Sequence, residues 1–420
     1  MINTSSDAKS LMADVNLSLA KQIDVIVEQI LEKKNDVKEV GLLGGKAGIT
    51  LLFAYLSKSF PEKKYLQATL DYLDELSDSL SNEELNYNMS AGVAGIAFVF
   101  QHLRNLGILD NEDDLNLSDL DEFISQGVEQ DFRTANWDPL HGMTGLGIYF
   151  LERNKETGEK KYLEIIVDHL AKLRTEVGEY KVWITPGYGK YSNDNYNFGM
   201  AHGMPGVLSF LAQVYARGIR QNEIEKIISA SLPFLLKHEY ADDVYCFPTA
   251  FDVIPIEEKE KPNSRLAWCY GDLCMAFALI HCGIALQNDD PIAIGWKNKG
   301  IEVALKTTQR TFENSGCTDA PFCHGTVGLV HLYHRLFNLT KNETFKIASQ
   351  KWLEITYSEF YKPGEGAGGY FFRSFNEEQN IFELTPQYSL LEGSAGIALV
   401  YLSHLFDIKP DWDKIFLTNV

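Results

Sequence analysis

The chain has 420 residues, of which 45% are hydrophobic and 23% charged, and its formal net charge is −20 at pH 7. This hydrophobic content can fill a sizeable core, which excludes a disordered or fibrous chain. The acidic balance argues against nucleic acid as a partner, because binding a phosphate backbone needs clustered Lys and Arg.

Local patterns exclude two further classes. No uninterrupted apolar run reaches about 18 residues, the length at which a membrane-spanning helix is predicted. Residues 1–21 lack a cationic stretch followed by an apolar core, so we expect no secretory signal. A cytoplasmic location is therefore expected. In that reducing compartment the six cysteines favour metal binding or catalysis over disulfides.

A short glycine element recurs along the chain. Six copies have the form Gly-x-x-Gly and one has Cys in place of the second glycine, at residues 45–48, 92–95, 142–145, 203–206, 271–274, 325–328 and 393–396. Their starts lie 47 to 68 residues apart, which leaves room for two helices of about 12 residues and their connections. Each of the seven repeats is therefore predicted to be a helical hairpin.

The stretches after the glycines, such as 49–56 and 397–402, are apolar on most faces, which is typical of interior helices. Amphipathic segments such as 18–31 and 162–173 alternate with them and predict an outer layer. We expect an all-α fold and a single domain over residues 1–420, an (α/α) toroid with seven inner helices inside seven outer ones. An open solenoid is the alternative, although it would need distinct polar caps at both ends.

Long connections precede several glycine elements, at about residues 178–198, 241–264, 310–322 and 361–390. Connections of this length in compact domains are usually functional, so we expect them to form walls around one mouth of the ring. Alternating apolar and polar residues at 180–184 and 370–375 predict short strands in two of them.

Chemically reactive side chains lie at or just before the glycine elements. Cys269 and the pair Cys323-His324 occupy equivalent points of the fifth and sixth repeats. Two thiolates and one imidazole leave a tetrahedral zinc ion one open position, which is typical of a catalytic site. Similarly placed are Asp138, His202, Tyr270 and Glu392. We expect these positions to meet at one end of the ring, where exposed helix N–H groups favour thiolates and oxyanions.

Three longer stretches carry a resemblance to a known family. They are Gly-Met-Ala-His-Gly-Met-Pro-Gly at 199–206, Trp-Cys-Tyr-Gly at 268–271 and Cys-His-Gly at 323–325. Together with the sevenfold glycine element, they resemble the lanthionine synthetase C-like family, the cyclases of lantibiotic biosynthesis, over essentially the full length. The sequence departs from the family pattern at Cys274, where the second glycine of the fifth repeat is expected. Helix packing at that point is therefore left open.

The resemblance implies Zn²⁺ as the cofactor and assigns eight site residues. The implied metal ligands are Cys269, Cys323 and His324. The implied catalytic and site-lining residues are His202 and Asp138 at the acid–base positions, with Arg265, Trp268 and Tyr270 around them.

The implied reaction adds the thiol of a peptide cysteine to a dehydroalanine or dehydrobutyrine residue of a dehydrated precursor peptide and forms a thioether ring. We expect His202 to give a proton to the α-carbon and Asp138 to orient His202. Arg265 is expected to steady Asp138, and Tyr270 to donate a hydrogen bond to the enolate oxygen. A separate dehydratase and an exporter are expected partners, within a membrane-bound biosynthetic complex.

Other functions and simpler residue roles stay open at this stage. The first alternative is addition of glutathione to dehydroamino acids. The second is a toroidal glycoside hydrolase using Asp138, Asp272 and Glu392, and the third is a non-catalytic peptide-binding scaffold. For the remaining candidates we expect structural roles at His141 and Glu392, core positions for Cys274 and Cys282, and neutral surface loop positions for Cys246 and Cys317, although Cys317 could approach the metal.

Overall fold

The computed structural model describes residues 4–60, 63–110, 115–187, 193–241, 244–254, 264–286, 290–376, 379–406 and 408–420. In these residues the chain forms fifteen α-helices: α1 (Thr4–Glu32), α2 (Lys46–Ser59), α3 (Lys63–Asn82), α4 (Val93–Asn105), α5 (Leu117–Arg133), α6 (Met143–Thr157), α7 (Lys161–Lys172), α8 (Met204–Tyr215), α9 (Gln221–Lys237), α10 (Asp272–Leu286), α11 (Pro291–Thr307), α12 (Phe312–Ser315), α13 (Thr326–Thr340), α14 (Glu343–Ile355) and α15 (Ser394–Leu405). None of these helices is long and apolar enough to cross a membrane.

Seven of these helices begin at a glycine element and form the inner ring: α2, α4, α6, α8, α10, α13 and α15. Their sequences are mostly apolar because most of their surface is enclosed. All residues from Ala47 to Leu56 in α2, and from Ser394 to Ser403 in α15, are buried. The outer helices instead bury one stripe, and in α7 only Leu163, Ile166, Val167 and Leu170 are buried.

The ring closes between its first and last repeats. The first inner helix, α2, packs against both α4 and α15, and the long helix α1 packs on α15. Helix α1 therefore serves as the outer partner of the seventh inner helix. This closure confirms the predicted toroid and excludes an open solenoid, which would leave α2 and α15 apart.

The glycine elements are explained by close backbone approach at the helix starts. A Cβ on Gly48 would overlap the carbonyl oxygen of Leu42, and one on Gly396 would overlap that of Leu390, in each case six residues earlier. The first glycine of six repeats caps its helix in an extended conformation. The turn before these six inner helices is thus the same compact structure, and it holds the preceding residues at the mouth.

The turn before the inner helix of the fifth repeat has a different conformation. Gly271 has a φ of +112°, a conformation that favours glycine, and α10 begins directly after it. This altered turn admits a side chain at Cys274, whose thiol donates a hydrogen bond of 2.9 Å to the carbonyl oxygen of Trp268. Cys274 is buried, as expected, and burial raises the pKa of its thiol well above the usual value. Cys274, the residue that departs from the family pattern, is therefore accommodated as a buried thiol.

Six short strands lie in the long connections: β1 (Thr175–Val177), β2 (Tyr180–Val182), β3 (Asn195–Asn197), β4 (Ala250–Asp252), β5 (Phe372–Asn376) and β6 (Ile381–Thr385). They form three antiparallel pairs, β1 with β2, β3 with β4, and β5 with β6. The strands expected at 180–184 and 370–375 are confirmed by β2 and β5. Parts of the predicted connections, at 188–192, 242–243, 255–263 and 377–378, lie outside the described residues.

Candidate active site

A chain of backbone hydrogen bonds joins the repeats at the mouth of the ring. Each bond runs between residues two positions before the first glycine of neighbouring repeats. The donor and acceptor pairs are Ala201 to Cys269 (3.3 Å), Cys269 to Cys323 (3.3 Å), Cys323 to Leu391 (3.1 Å), Leu391 to Leu43 (3.0 Å) and Leu43 to Ser90 (2.9 Å). Two consecutive members of this chain are cysteines. Their thiols are brought together because the fifth and sixth repeats are neighbours in the ring.

The three predicted metal ligands form one cluster. The ligand atoms of Cys269, Cys323 and His324 all lie within 4.8 Å of one another. Two sulfurs and one imidazole nitrogen are donors that suit zinc, and three protein ligands leave a tetrahedral ion one position for another group. The chemistry of the donor set therefore fits the zinc ion that the sequence implies.

The electrostatics of the cluster favour an ionised sulfur. A hydrogen bond from the Cys323 thiol, helped by the nearby His324, holds the pKa of Cys269 well below its usual range. The same hydrogen bond raises the pKa of Cys323, so the two thiols share one proton as a pair. A cation that replaced this proton would relieve the repulsion between two thiolates.

A buried carboxylate, not predicted from the sequence, supports His324. The Nε2 atom of His324 lies 3.6 Å from Oδ2 of Asp319, and the backbone N–H of Arg373 donates to the same oxygen over 3.1 Å. Oδ1 of Asp319 is buried without a hydrogen-bond partner. A carboxylate beside a ligand histidine fixes the tautomer and ring orientation. The sequence signal was the repeat itself, because Asp319 lies six residues before Gly325, as Asn136 does before Gly142.

His202 and Asp138, predicted as the acid–base pair, are in direct contact. Nδ1 of His202 lies 2.8 Å from Oδ2 of Asp138. The other carboxylate oxygen accepts hydrogen bonds from the backbone N–H groups of Leu140 (2.7 Å) and His141 (2.8 Å), which lie in the turn before α6. Asp138 therefore contacts His202 with one oxygen and is held in place by the backbone of the turn with the other.

The contact shifts the pKa values of His202 and Asp138 in opposite directions. Burial alone would lower the pKa of His202, but the hydrogen bond and charge of Asp138 raise it above its ordinary value. Burial would raise the pKa of Asp138, but His202 lowers it. Asp138 is thus ionised and accepts a hydrogen bond from Nδ1–H of His202, which leaves Nε2 to carry a transferable proton.

Tyr270 directly follows Cys269 in the chain, and its ring lies near that of His202. Its ring centroid is 6.4 Å from that of His202, and its hydroxyl oxygen accepts a hydrogen bond of 3.3 Å from Nδ2 of Asn197. Burial raises the pKa of Tyr270 to about 12, so the hydroxyl keeps its proton and can donate it. Asn197 was missed by sequence reasoning. It lies six residues before Gly203, the same repeat position as Asp319 before Gly325.

Arg265 and Trp268 lie elsewhere around the cluster. Arg265 is exposed, and its positive charge lowers the pKa of Cys269. Among the described residues no ion pair joins Arg265 to Asp138, whose side-chain partners are those given above. Trp268 is buried, and its indole N–H donates a 2.8 Å hydrogen bond to the carbonyl oxygen of Phe416. That donor is therefore already used within the fold.

The other candidates divide into mouth and core positions. The ring of His141 stacks on that of His202 with centroids 5.4 Å apart, and its Nδ1 lies 2.9 Å from the Ser90 hydroxyl. Burial raises the pKa of Glu392, which lies near His324. Asp272 is fully buried and accepts hydrogen bonds from the backbone N–H groups of Cys246 and Phe247, so it faces the core.

The remaining cysteines are all buried. Cys282 lies in the core, as expected. The surface positions expected for Cys246 and Cys317 are wrong, because the loops carrying them fold inward against α10 and the segment before it. Burial raises the pKa of Cys317 to about 12, and its thiol donates to the carbonyl oxygen of Leu266. Cys317 is not part of the ligand cluster.

The chain is similar in sequence to lanthionine synthetase C-like proteins and in fold to a solved nisin cyclase. The family model described as lanthionine synthetase C-like protein matches residues 36–417. The nisin biosynthesis protein NisC of Lactococcus lactis subsp. lactis is 26% identical over 374 residues, covering 80% of this chain and 86% of that protein. A solved nisin cyclase superposes with a TM-score of 0.72 at 21% identity and covers 98% of both chains, which shows a common fold. A family 105 glycoside hydrolase of C. acetobutylicum ATCC 824 reaches a TM-score of only 0.45, too low to indicate a shared activity.

Proposed function

The chain belongs to the lanthionine synthetase C-like family, and on that premise we propose that it is a zinc-dependent cyclase acting on a dehydrated precursor peptide. The reaction adds cysteine thiols of the peptide to its dehydroalanine or dehydrobutyrine residues and forms thioether rings. The observation that carries the proposal is the cluster of Cys269, Cys323 and His324 beside the ion-paired His202 and Asp138. The relative NisC, named as a nisin biosynthesis protein, supports the same chemistry.

Cys269, Cys323 and His324 would hold the metal. When bound, zinc supplies the Lewis acidity that keeps a thiol deprotonated at neutral pH, where a free thiol of pKa about 8.5 is only a few per cent ionised. That ionisation is worth about 2 kcal/mol, at roughly 1.4 kcal/mol for each pKa unit. Positioning the two peptide segments can contribute about 7–11 kcal/mol. The walls of the mouth therefore matter more to the rate than thiol ionisation does.

His202 supplies the proton that completes the addition. The sulfur forms a bond to the β-carbon, and the π electrons of the carbon–carbon double bond shift to give an enolate. The α-carbon of the enolate then takes a proton from Nε2 of His202. The incoming thiol loses one proton to solvent, the α-carbon gains one from His202, and His202 is reprotonated from solvent, so the mass of the peptide is unchanged. Asp138 holds the imidazole through Nδ1 and stabilises its protonated form.

Tyr270 is the donor for the developing enolate oxygen. Asn197 donates to the Tyr270 hydroxyl oxygen, which leaves the hydroxyl proton free to point toward the mouth. A fixed donor aimed at developing negative charge stabilises the transition state more than the ground state. We assign Arg265 to the electrostatics of the cysteine cluster, since its charge acts on Cys269. Trp268 is assigned to positioning through its bond to Phe416.

The cellular setting is part of the proposal. We propose a cytoplasmic enzyme whose peptide is dehydrated by a separate enzyme, and a complex with a dehydratase or an exporter stays a prediction. The glycoside hydrolase alternative is disfavoured by Asp272, whose carboxylate is buried against Cys246 and Phe247.

The proposal is tested by mass spectrometry with two substrates. A dehydrated peptide containing cysteine should keep its mass but lose its alkylatable thiol when incubated with the protein. A dehydrated peptide without cysteine, offered with glutathione, distinguishes the alternative because glutathione addition increases the mass. Glutathione addition without ring closure would replace the proposed function, and no reaction with either substrate would contradict it.

A further inference from the structure

The segment from Asp411 to Val420 crosses the inside of the inner ring, where it contacts the loops that carry the ligand cysteines. It begins with a 3₁₀ helix, Asp411–Phe416, and Trp412, Asp413, Phe416 and Thr418 are all fully buried. Leu417, directly after the helix, has a φ of +54°, which a branched side chain rarely adopts. The backbone is therefore held in an unfavourable path by its surroundings.

Polar contacts fix this segment to five inner helices. Asp413 pairs with His331 (2.9 Å) and Arg335 (3.0 Å) of α13, and Lys414 lies 3.7 Å from Glu152 of α6.

Hydrogen bonds join the segment to three more inner helices. Asn419 donates to Gln213 of α8 (3.1 Å), and its carbonyl oxygen lies 3.3 Å from the His281 ring of α10. Trp412 donates to Ser403 of α15 (3.1 Å). The segment thus ties the ring together from the inside.

Phe416 connects the segment to both ligand loops. Its carbonyl oxygen accepts the Trp268 indole N–H at 2.8 Å, and its ring meets that of Trp268 edge-on with centroids 4.8 Å apart. The Phe416 ring also stacks on Phe322 at 4.2 Å and 24°. Trp268 directly precedes Cys269, and Phe322 directly precedes Cys323. A single side chain therefore supports the residue before each ligand cysteine.

We infer that Phe416 is a positioning residue for the metal centre, setting the spacing and direction of the Cys269 and Cys323 thiols through Trp268 and Phe322. The inference rests on the proposed zinc site. A metal site needs its ligands held within a fraction of an ångström, and supporting contacts supply that precision. The backbone bond from Cys269 to Cys323 fixes the two main chains relative to each other. The anchored aromatic side chains then limit rotation of the ligand loops about that bond.

The test measures metal binding in the full chain and does not depend on turnover. Zinc affinity is measured by competition with a chromophoric chelator, and ligand geometry by the absorption spectrum of the Co²⁺-loaded protein. Phe416→Leu should weaken zinc binding roughly 10- to 100-fold, the range found for lost outer contacts of metal sites, and should alter the Co²⁺ spectrum. Ile415→Val, a small loss of volume in the same buried helix, should leave both unchanged.

A second variant covers the case in which Phe416→Leu does not fold. Trp268→Phe keeps an aromatic ring and removes the hydrogen bond to Phe416, so it should also alter the Co²⁺ spectrum. Wild-type affinity and spectrum in Phe416→Leu, or in Trp268→Phe if only that variant folds, overturn the inference while leaving the proposed function intact. A wild-type protein that binds neither zinc nor Co²⁺ overturns both.

Discussion

The backbone N–H of Cys269 donates a 3.3 Å hydrogen bond to the carbonyl oxygen of Cys323, at equivalent positions of the fifth and sixth repeats. The two cysteines are 54 residues apart in sequence, yet the circular order of the repeats makes them neighbours. The metal centre is thus built at the contact between two adjacent repeats. Conditions that loosen this contact are expected to loosen metal binding as well.

Removal of one ligand should remove the metal. Cys269→Ala leaves one thiolate and one imidazole, too few to hold zinc firmly in a site of this kind. We expect the variant to lose stoichiometric zinc and ring closure together, measured by elemental analysis and by alkylation of the peptide thiol. Cys282→Ala, at a buried core thiol of α10 outside the ligand cluster, is the control and should retain both. Zinc retained at one equivalent in Cys269→Ala would rule out Cys269 as a ligand.

Loss of the charge at Asp138 should shift the pH dependence. The Asp138 carboxylate raises the pKa of His202 against the lowering effect of burial. In Asp138→Asn the hydrogen bonds that Oδ1 accepts from Leu140 and His141 can be kept, but the pKa of His202 should fall. The proton-donating form is then lost at lower pH, so the alkaline limb of the rate profile should move to lower pH. The shift is measured from the pH dependence of ring closure, and an unchanged limb would show that His202 is not the donor.

The carboxylate beside His324 should affect metal affinity. Asp319→Asn keeps the shape but removes the charge that faces Nε2 of His324, and zinc affinity should fall roughly 10- to 100-fold. Glu392→Gln is the matched control, because Glu392 also lies near His324 but forms no ion pair with it among the described residues. Chelator competition measures both variants. Equal losses in the two would indicate a general charge effect instead of support for His324.

The altered turn of the fifth repeat predicts a stability difference. Gly271→Ala places a side chain at a φ of +112°, and its Cβ would overlap the carbonyl oxygen of Arg265. The free energy of unfolding should fall by about 1–3 kcal/mol. Gly295→Ala in α11, where nothing would meet the added Cβ, should instead raise it by about 0.5–1 kcal/mol. Urea unfolding checks both, and a Gly271→Ala variant as stable as wild type would contradict the strain argument.

The sequence was sufficient for the architecture because each repeat carries its own signal. Glycines such as Gly48 and Gly396 are required locally, so their repetition and spacing predicted seven hairpins. The cysteine cluster was predictable for the same reason, since Cys269 and Cys323 occupy one repeat position. A single domain spanning residues 1–420 remains a prediction.

Contacts between distant parts of the chain were not predictable in this way. Trp268 is 148 residues from Phe416, and no periodicity relates that partner to the repeats. Arg265 was expected beside Asp138, but its charge acts on the cysteine cluster. Asp319 and Asn197 could have been found by aligning the repeats, because both lie six residues before a glycine element. Side-chain direction at that position depends on packing, which no single repeat encodes.

The most direct measurement is a titration of zinc-depleted protein with Zn²⁺, with ring closure followed by loss of the alkylatable thiol in a dehydrated peptide. The site predicts that metal-free protein is inactive and that activity rises linearly to a plateau at one zinc per chain. It also predicts that Cys323→Ala shows no such rise. Full activity in protein verified as metal-free would contradict a zinc centre at Cys269, Cys323 and His324.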